Sequence, residues 1–171
     1  MFNKNIKIVI AALFTILAIV LFTDKYIAYG IFSLIAAGML VLLYFKNELI
    51  LLSFLKLKKQ DLKGTQELLD KIQDPEKALV PGQLGYYNYL YGIIFAQTNM
   101  TQSEKYLKKA LKFGLNMEMD QAVAKLNLAG IAMTKRRKRE AQNLIAEVKK
   151  LDKQGMLKDQ IATMKKQMGR I

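Results

Sequence analysis

Two uncharged, strongly apolar stretches stand at the start of the chain: IVIAALFTILAIVLFT over residues 8–23 and YIAYGIFSLIAAGMLVLLYF over residues 26–45. Only Asp24 and Lys25 separate them. A helix that crosses a bilayer needs about 17–25 apolar residues, and a helix that is apolar all round is normally buried. The two stretches therefore predict a transmembrane helical hairpin over residues 1–46, in an integral protein of the inner or plasma membrane.

Two other interpretations of these stretches stay open. The first stretch has 16 residues, and the basic residues Lys4 and Lys7 before it resemble the start of a signal peptide. The sequence Ala28-Tyr29-Gly30 is a poor cleavage site, however, because its middle residue is bulky and a second apolar stretch follows at once. A hairpin buried in a soluble core is the other alternative, although a chain of 171 residues has little else to cover it.

Positive charges around the hairpin predict its orientation. Lys4 and Lys7 precede the hairpin, whereas the turn between the stretches carries a single lysine beside Asp24. The lysines that follow it are Lys46, Lys56, Lys58, Lys59 and Lys63. Basic residues near the ends of spans favour the cytoplasmic side. Both termini are therefore expected in the cytoplasm, with a tight turn near Thr23–Tyr26 on the far side.

Small residues in the second stretch predict how the two helices pack. They are Gly30, Ser33, Ala36, Ala37 and Gly38. Small side chains let helices approach closely, and the GxxxG spacing favours dimers. Gly30 and Gly38 do not have that spacing, so packing within the hairpin is favoured over dimerisation.

The composition argues against several kinds of catalytic site. The chain has a net charge of +13 and contains neither histidine nor cysteine. Serine–histidine and cysteine–histidine catalysis, and the usual zinc sites, need those residues. The glycine-rich phosphate loops and the EF-hand calcium loop are also missing from the sequence. We therefore expect a protein that is not an enzyme, with no catalytic residue, cofactor or metal site.

The rest of the chain is predicted to be helical. Residues 47–85 are interpreted as membrane-proximal helices followed by a loop, Asp74–Gly85, that Pro75 and Pro81 bracket. Residues 86–171 are interpreted as a separate helical domain. Apolar residues at helical spacing predict its helices. These are Tyr87–Gln97, Gln102–Phe113, Asp120–Met133 and Arg139–Leu151, with a capping segment over Met156–Met168.

The paired helices resemble the tetratricopeptide repeat, a helix–turn–helix unit of about 34 residues. On the first helices, Tyr87, Leu90 and Leu128-Ala129 occupy positions that resemble the family pattern. The matching residues on the second helices are Ser103, Leu107 and Ala110 in one pair and Ala141, Ile145 and Val148 in the other. The resemblance implies an all-α fold of antiparallel helix pairs, a short solenoid that binds proteins. An ordinary antiparallel helical bundle is the alternative.

Two groups of residues are candidates for binding. Four tyrosines lie close together on one predicted helix, so all of them cannot face the core, and we expect Tyr86 and Tyr89 to be exposed for a partner while Tyr87 packs inward. The resemblance to the repeat family implies that Asn88 and Asn127 contact a peptide backbone. These four residues, Tyr86, Asn88, Tyr89 and Asn127, form the predicted partner-binding site.

A run of five cations, Lys135-Arg136-Arg137-Lys138-Arg139, is the second candidate. Together with Lys56, Lys58 and Lys59 it is expected to contact anionic lipid headgroups, which attract basic residues near a membrane surface. A solvated turn between helices is the alternative. Nucleic-acid binding is not expected, because the sequence shows no recognisable reading motif.

These observations predict a membrane-anchored, cytoplasm-facing adaptor or scaffold that holds a protein partner or a peptide tail. The alternative is an accessory subunit of a membrane protein complex, assembled through the transmembrane hairpin.

Overall fold

The computed structural model describes residues 4–45 and 47–169. Within those ranges the chain is all helical, which confirms the predicted all-α class. The helices are α1 (Lys4–Thr23), α2 (Ile27–Phe45), α3 (Glu48–Lys58), α4 (Leu62–Leu69), α5 (Pro75–Ala78), α6 (Pro81–Phe95), α7 (Met100–Phe113), α8 (Glu118–Thr134), α9 (Lys138–Leu151) and α10 (Lys158–Met168). Contacts divide the chain into two compact units, Met1–Glu48 and Leu49–Ile171.

In the first unit, α1 and α2 pack through small residues. Those buried between them are Ala11, Ala18, Gly30, Ser33 and Ala37. The Ser33 hydroxyl donates a 2.7 Å hydrogen bond to the carbonyl of Phe14 on the other helix. A Cβ on Gly30 would lie 2.9 Å from the ring of Phe22, whereas one on Gly38 would meet nothing within 4 Å. The predicted close packing is thus confirmed for Gly30, Ser33 and Ala37 and wrong for Gly38.

The prediction of a transmembrane hairpin has to be corrected. In residues 4–45 and 47–169, no helix is both long enough and apolar enough to cross a membrane. Helix α1 starts at Lys4 and includes Lys7, so its apolar part is shorter than its 20 residues. The predicted integral-membrane localisation, with both termini cytoplasmic, is therefore wrong.

The second unit contains two helix pairs with related cores. Helix α6 packs on α7, and α8 packs on α9. The residues that match the repeat pattern on the second helix of each pair are at most 2% exposed: Ser103, Leu107, Ala110, Ala141, Ile145 and Val148. Each residue of the first set lies 38 positions before its counterpart. The same small–large–small pattern therefore brings both pairs together.

A glycine sets the closest approach of α6 and α7. The Ser103 hydroxyl donates a 2.7 Å hydrogen bond to the carbonyl of Gly92. A Cβ on Gly92 would lie 2.6 Å from the side chain of Leu107, which is fully buried. The contact leaves no space for any larger residue at position 92.

The two prolines start helices and do not bracket a loop. Pro75 and Pro81 each occupy the first turn of a helix, α5 and α6, where a missing N–H costs nothing. The predicted loop over Asp74–Gly85 is therefore wrong. Residues 49–85 also belong to the same compact unit as the later helices. One link between them is the hydroxyl of Tyr91 on α6, which donates to the carboxylate of Asp70 at the end of α4.

Candidate functional site

An open groove runs between α8 and α10 in the second unit, with the end of α6 and the start of α7 beside it. Its volume is about 610 Å³. We call it the methionine groove and define it by six residues that line it: Met100, Asn127, Ile131, Met133, Gln160 and Met164. Ile131 and Met133 are buried, Met164 is half-buried, and Met100 and Gln160 are exposed. The surface is therefore apolar at its base and carries side-chain amides along its walls.

Gly130 keeps the methionine groove open. It lines the groove from the C-terminal part of α8. The nearest atom to a Cβ built there is Met164 Cε at 3.8 Å, an ordinary van der Waals distance. A small residue fits at position 130 without displacing a neighbour, whereas a long side chain there would occupy the groove itself.

Only one of the two predicted asparagines reaches the methionine groove. Asn127 is half-buried on its wall, and its Nδ2 donates a 2.9 Å hydrogen bond to the carbonyl of Val123. Asn88 is 4% exposed and donates at 2.7 Å to the carbonyl of Leu84. Both amides thus bond one turn back along their own helices. Asn88 lines a different hollow, beside α5.

The tyrosines predicted to be exposed pack against α3. Tyr89 is 6% exposed, and its ring stacks on that of Phe54 with the centroids 6.1 Å apart. Tyr86 is half-buried, with its ring edge-on to Phe54 at 5.3 Å. Burial raises the pKa of the Tyr89 hydroxyl above its usual range. The expected exposure is wrong for Tyr89, because α3 covers this side of α6.

Tyr87 packs inward in part, as expected. Its ring lies 5.0 Å from that of Tyr91, and Tyr91 in turn stacks on Tyr106 of α7 at 5.2 Å. Burial, and then the hydrogen bond to Asp70, raise the pKa of Tyr91. The aromatic residues of α6 therefore hold neighbouring helices together on two sides.

Two of the five cations in the basic run form ion pairs with α7 in the described structure, whereas the other three do not. Glu104, which is 9% exposed, accepts hydrogen bonds from Lys135 Nζ at 2.7 Å and from Arg137 Nη2 at 2.9 Å. Lys108 Nζ donates to the same carboxylate at 2.7 Å. Lys135 and Arg137 therefore have a partner within the protein, and lipid contact by these two stays a prediction. The side chains of Arg136, Lys138 and Arg139 are exposed, and lipid contact by these three stays a prediction.

The second predicted lipid-contacting group lies around the end of α3. Lys56 forms a 2.9 Å ion pair with Asp61, and Asp61 also accepts from the backbone N–H of Gly64 as the N-cap of α4. Lys58 and Lys59 are exposed. Lys56 is thus engaged within the protein, and only the other two extend freely into solvent.

The Glu104 carboxylate makes stability depend on pH. Burial alone would raise the pKa of Glu104, but hydrogen bonds from Lys108, Lys135 and Arg137 outweigh it and lower the pKa to about 2. The folded state therefore favours the carboxylate, and this stabilisation is complete above the unfolded pKa of about 4.3. We expect it to be lost as the pH falls from about 4.5 towards 2, by about 2 kcal/mol after allowance for solvent screening.

Urea unfolding between pH 6 and pH 2 measures this loss. The matched control is Glu104→Gln, which removes the titrating group. The difference in unfolding free energy between the two proteins should shrink across the acid range, and a constant difference would contradict the assignment.

The sequence prediction missed the groove residues on α10. Gln160, Met164 and Gln167 have the spacing of one helix face and all line the groove. The sequence predicted only a capping segment here, over Met156–Met168. In the described part of the chain, acidic side chains do not form groups of three that could hold a metal ion.

Comparison of the chain with protein-family models, with curated proteins and with solved structures finds no match. The function is therefore inferred from the arrangement of the side chains.

Proposed function

We propose that the second unit is a protein-interaction module of an adaptor or scaffold, with a fold like that of tetratricopeptide repeats. Its ligand is a short peptide segment of a partner protein, bound in the methionine groove. The observation that carries the proposal is the groove itself, about 610 Å³ in volume and lined by methionines and amides.

The chemistry of the methionine groove suits a peptide. Methionine side chains are flexible and polarisable, so they adapt to different apolar side chains. The base formed by Ile131, Met133 and Met164 would cover such a side chain. Asn127, Gln160 and Gln167 supply amide groups, which match the donors and acceptors of a peptide backbone.

Filling the groove tests this proposal. Peptides selected from a random display library against the full chain, kept in a mild detergent, supply the probe, and fluorescence polarisation measures their affinity. Gly130→Leu should weaken binding at least about tenfold, or about 1.4 kcal/mol, because the new side chain occupies the space. Gly82→Leu, which makes the same change where the nearest contact to a Cβ is 3.8 Å away, should leave affinity within about twofold.

Thermal unfolding of both variants keeps the result interpretable. If the two fold like the wild type and bind the peptides equally well, the methionine groove is not the binding site and the proposal fails.

The helical hairpin supports a second candidate, an accessory subunit of a protein complex that is assembled through the hairpin. Large apolar side chains are exposed along both of its helices, with Phe32 at 74%, Tyr29 at 67% and Met39 at 65%. Monomeric proteins rarely expose continuous apolar patches of this kind. Loss of a native complex with Phe32→Gln, but not with Gly130→Leu, would favour this candidate, and the reverse result would favour the groove.

A further inference from the structure

Three lysines line a second groove, between α9 and α10. The groove has a volume of about 480 Å³, and Lys138, Lys149 and Lys165 lie along it. Its base includes Ile145 and Met168, which are 2% and 5% exposed. We call this the lysine groove. Its size falls within the range of small-molecule sites, about 300–1,000 Å³.

The lysine groove lacks the acidic partners that other cations of this protein have. Glu104 neutralises Lys135 and Arg137, and Glu118 pairs with Lys153. Within residues 4–45 and 47–169, by contrast, Lys138, Lys149 and Lys165 form no ion pair. The positive charge of the groove is therefore left for an external group.

Lys149 and Lys165 are shared by two neighbouring hollows. Both also line a neighbouring hollow of about 420 Å³, on whose wall Lys158 lies. The carboxylate of Asp152 lies there too, but it accepts hydrogen bonds from the backbone N–H groups of Met156 at 2.9 Å and Leu157 at 2.8 Å. Asp152 thus stabilises the turn between α9 and α10, and both of its carboxylate oxygens already accept hydrogen bonds.

Lys149 on α9 and Lys165 on α10 line the same groove from its two sides. The nearby positive charge of Lys149 lowers the pKa of Lys165. Two like charges in contact repel each other, and a single anion placed between them would remove that repulsion. An ammonium group is a compact point charge with three donors, and a phosphate offers several acceptor oxygens with up to two negative charges.

We propose that the lysine groove binds a phosphate-bearing small molecule, with the phosphate held between Lys149 and Lys165 and reached by Lys138. The apolar part of such a ligand would rest on Ile145 and Met168. The site does not depend on the peptide-binding role of the methionine groove, because the two grooves share no lining residue.

Calorimetric titration of the full chain with inorganic pyrophosphate tests the proposal. Lys149→Gln and Lys165→Gln should each weaken binding about tenfold, since each removes a charge-assisted hydrogen bond. Lys150→Gln and Lys166→Gln are the matched controls: each makes the same charge change at the next residue, outside the groove lining, and should change affinity less than about twofold.

A parallel titration with phosphatidylglycerol vesicles identifies the source of the phosphate. Vesicle binding that is lost with Lys149→Gln and Lys165→Gln, but not with the controls, assigns it to a lipid headgroup. Binding of pyrophosphate without vesicle binding assigns it to a free phosphorylated molecule. The proposal is overturned if all four variants weaken pyrophosphate binding equally, because diffuse charge then accounts for it, or if millimolar pyrophosphate does not bind.

Discussion

Glu104→Gln is expected to lower the free energy of unfolding by about 2–3 kcal/mol. The carboxylate is largely buried on α7 and joins three cations, two of which lie in the turn between α8 and α9. Glutamine has a similar shape but lacks the charge, so Lys135 would lose its ion pair and Arg137 would keep its 2.8 Å pair with Glu140. The Nε atom of Arg137 is already buried without a hydrogen-bond partner in the described structure, which limits how far this side chain can relax. Chemical denaturation at pH 7 measures the effect.

Glu118→Gln is the matched control for this prediction. Glu118 pairs with Lys153 at 2.8 Å, but the two side chains are 53% and 70% exposed. Surface pairs of this kind contribute about 0–1 kcal/mol. The control should therefore be close to wild type in stability. Equal losses in the two variants would show that Glu104 is not the centre of the charge network.

Gly92→Ala is expected to destabilise the protein by about 2–3 kcal/mol, although alanine is the better helix former. The added Cβ would lie 2.6 Å from Leu107, a residue with no exposed surface, and 3.3 Å from its backbone nitrogen. Helices α6 and α7 would have to separate, which also strains the hydrogen bond from Ser103 to the Gly92 carbonyl. Thermal and urea unfolding both measure the loss.

Gly130→Ala is the matched comparison, and it is expected to raise the stability instead of lowering it. Position 130 is also inside a helix, but the nearest contact to a new Cβ is 3.8 Å away. Replacing an interior helical glycine with alanine then stabilises by about 0.5–1 kcal/mol. If Gly92→Ala also raised stability, the close contact of α6 and α7 would be refuted.

Local sequence patterns predicted much of the fold correctly. Apolar residues three and four apart lie on the same side of a helix, so the inward faces of α7 and α9 were evident from Leu107, Ala110, Ala141 and Ile145. The same reasoning could not predict the exposure of Tyr89. Its burial depends on Phe54, which comes from α3, 35 positions earlier in the chain.

The methionine groove, too, could be predicted from the sequence only in part. Asn127 could be named from its position on a helix, but the groove that it lines exists only because α10 folds back beside α8. The methionines that line this groove look like any other apolar residue in the sequence, and nothing local distinguishes an open surface from a filled one.

The helical periodicity, the apolar hairpin and the positive charge are properties of neighbouring residues, and these could be deduced from the printed sequence. The partner of each cation could not be deduced in this way. Lys135 and Arg137 are paired with a glutamate 31 and 33 residues away, while Lys149 and Lys165 line one groove from two helices without an acidic partner in the described structure. Ion pairing depends on distances of a few ångströms between remote segments, and only the packing of the helices establishes those distances.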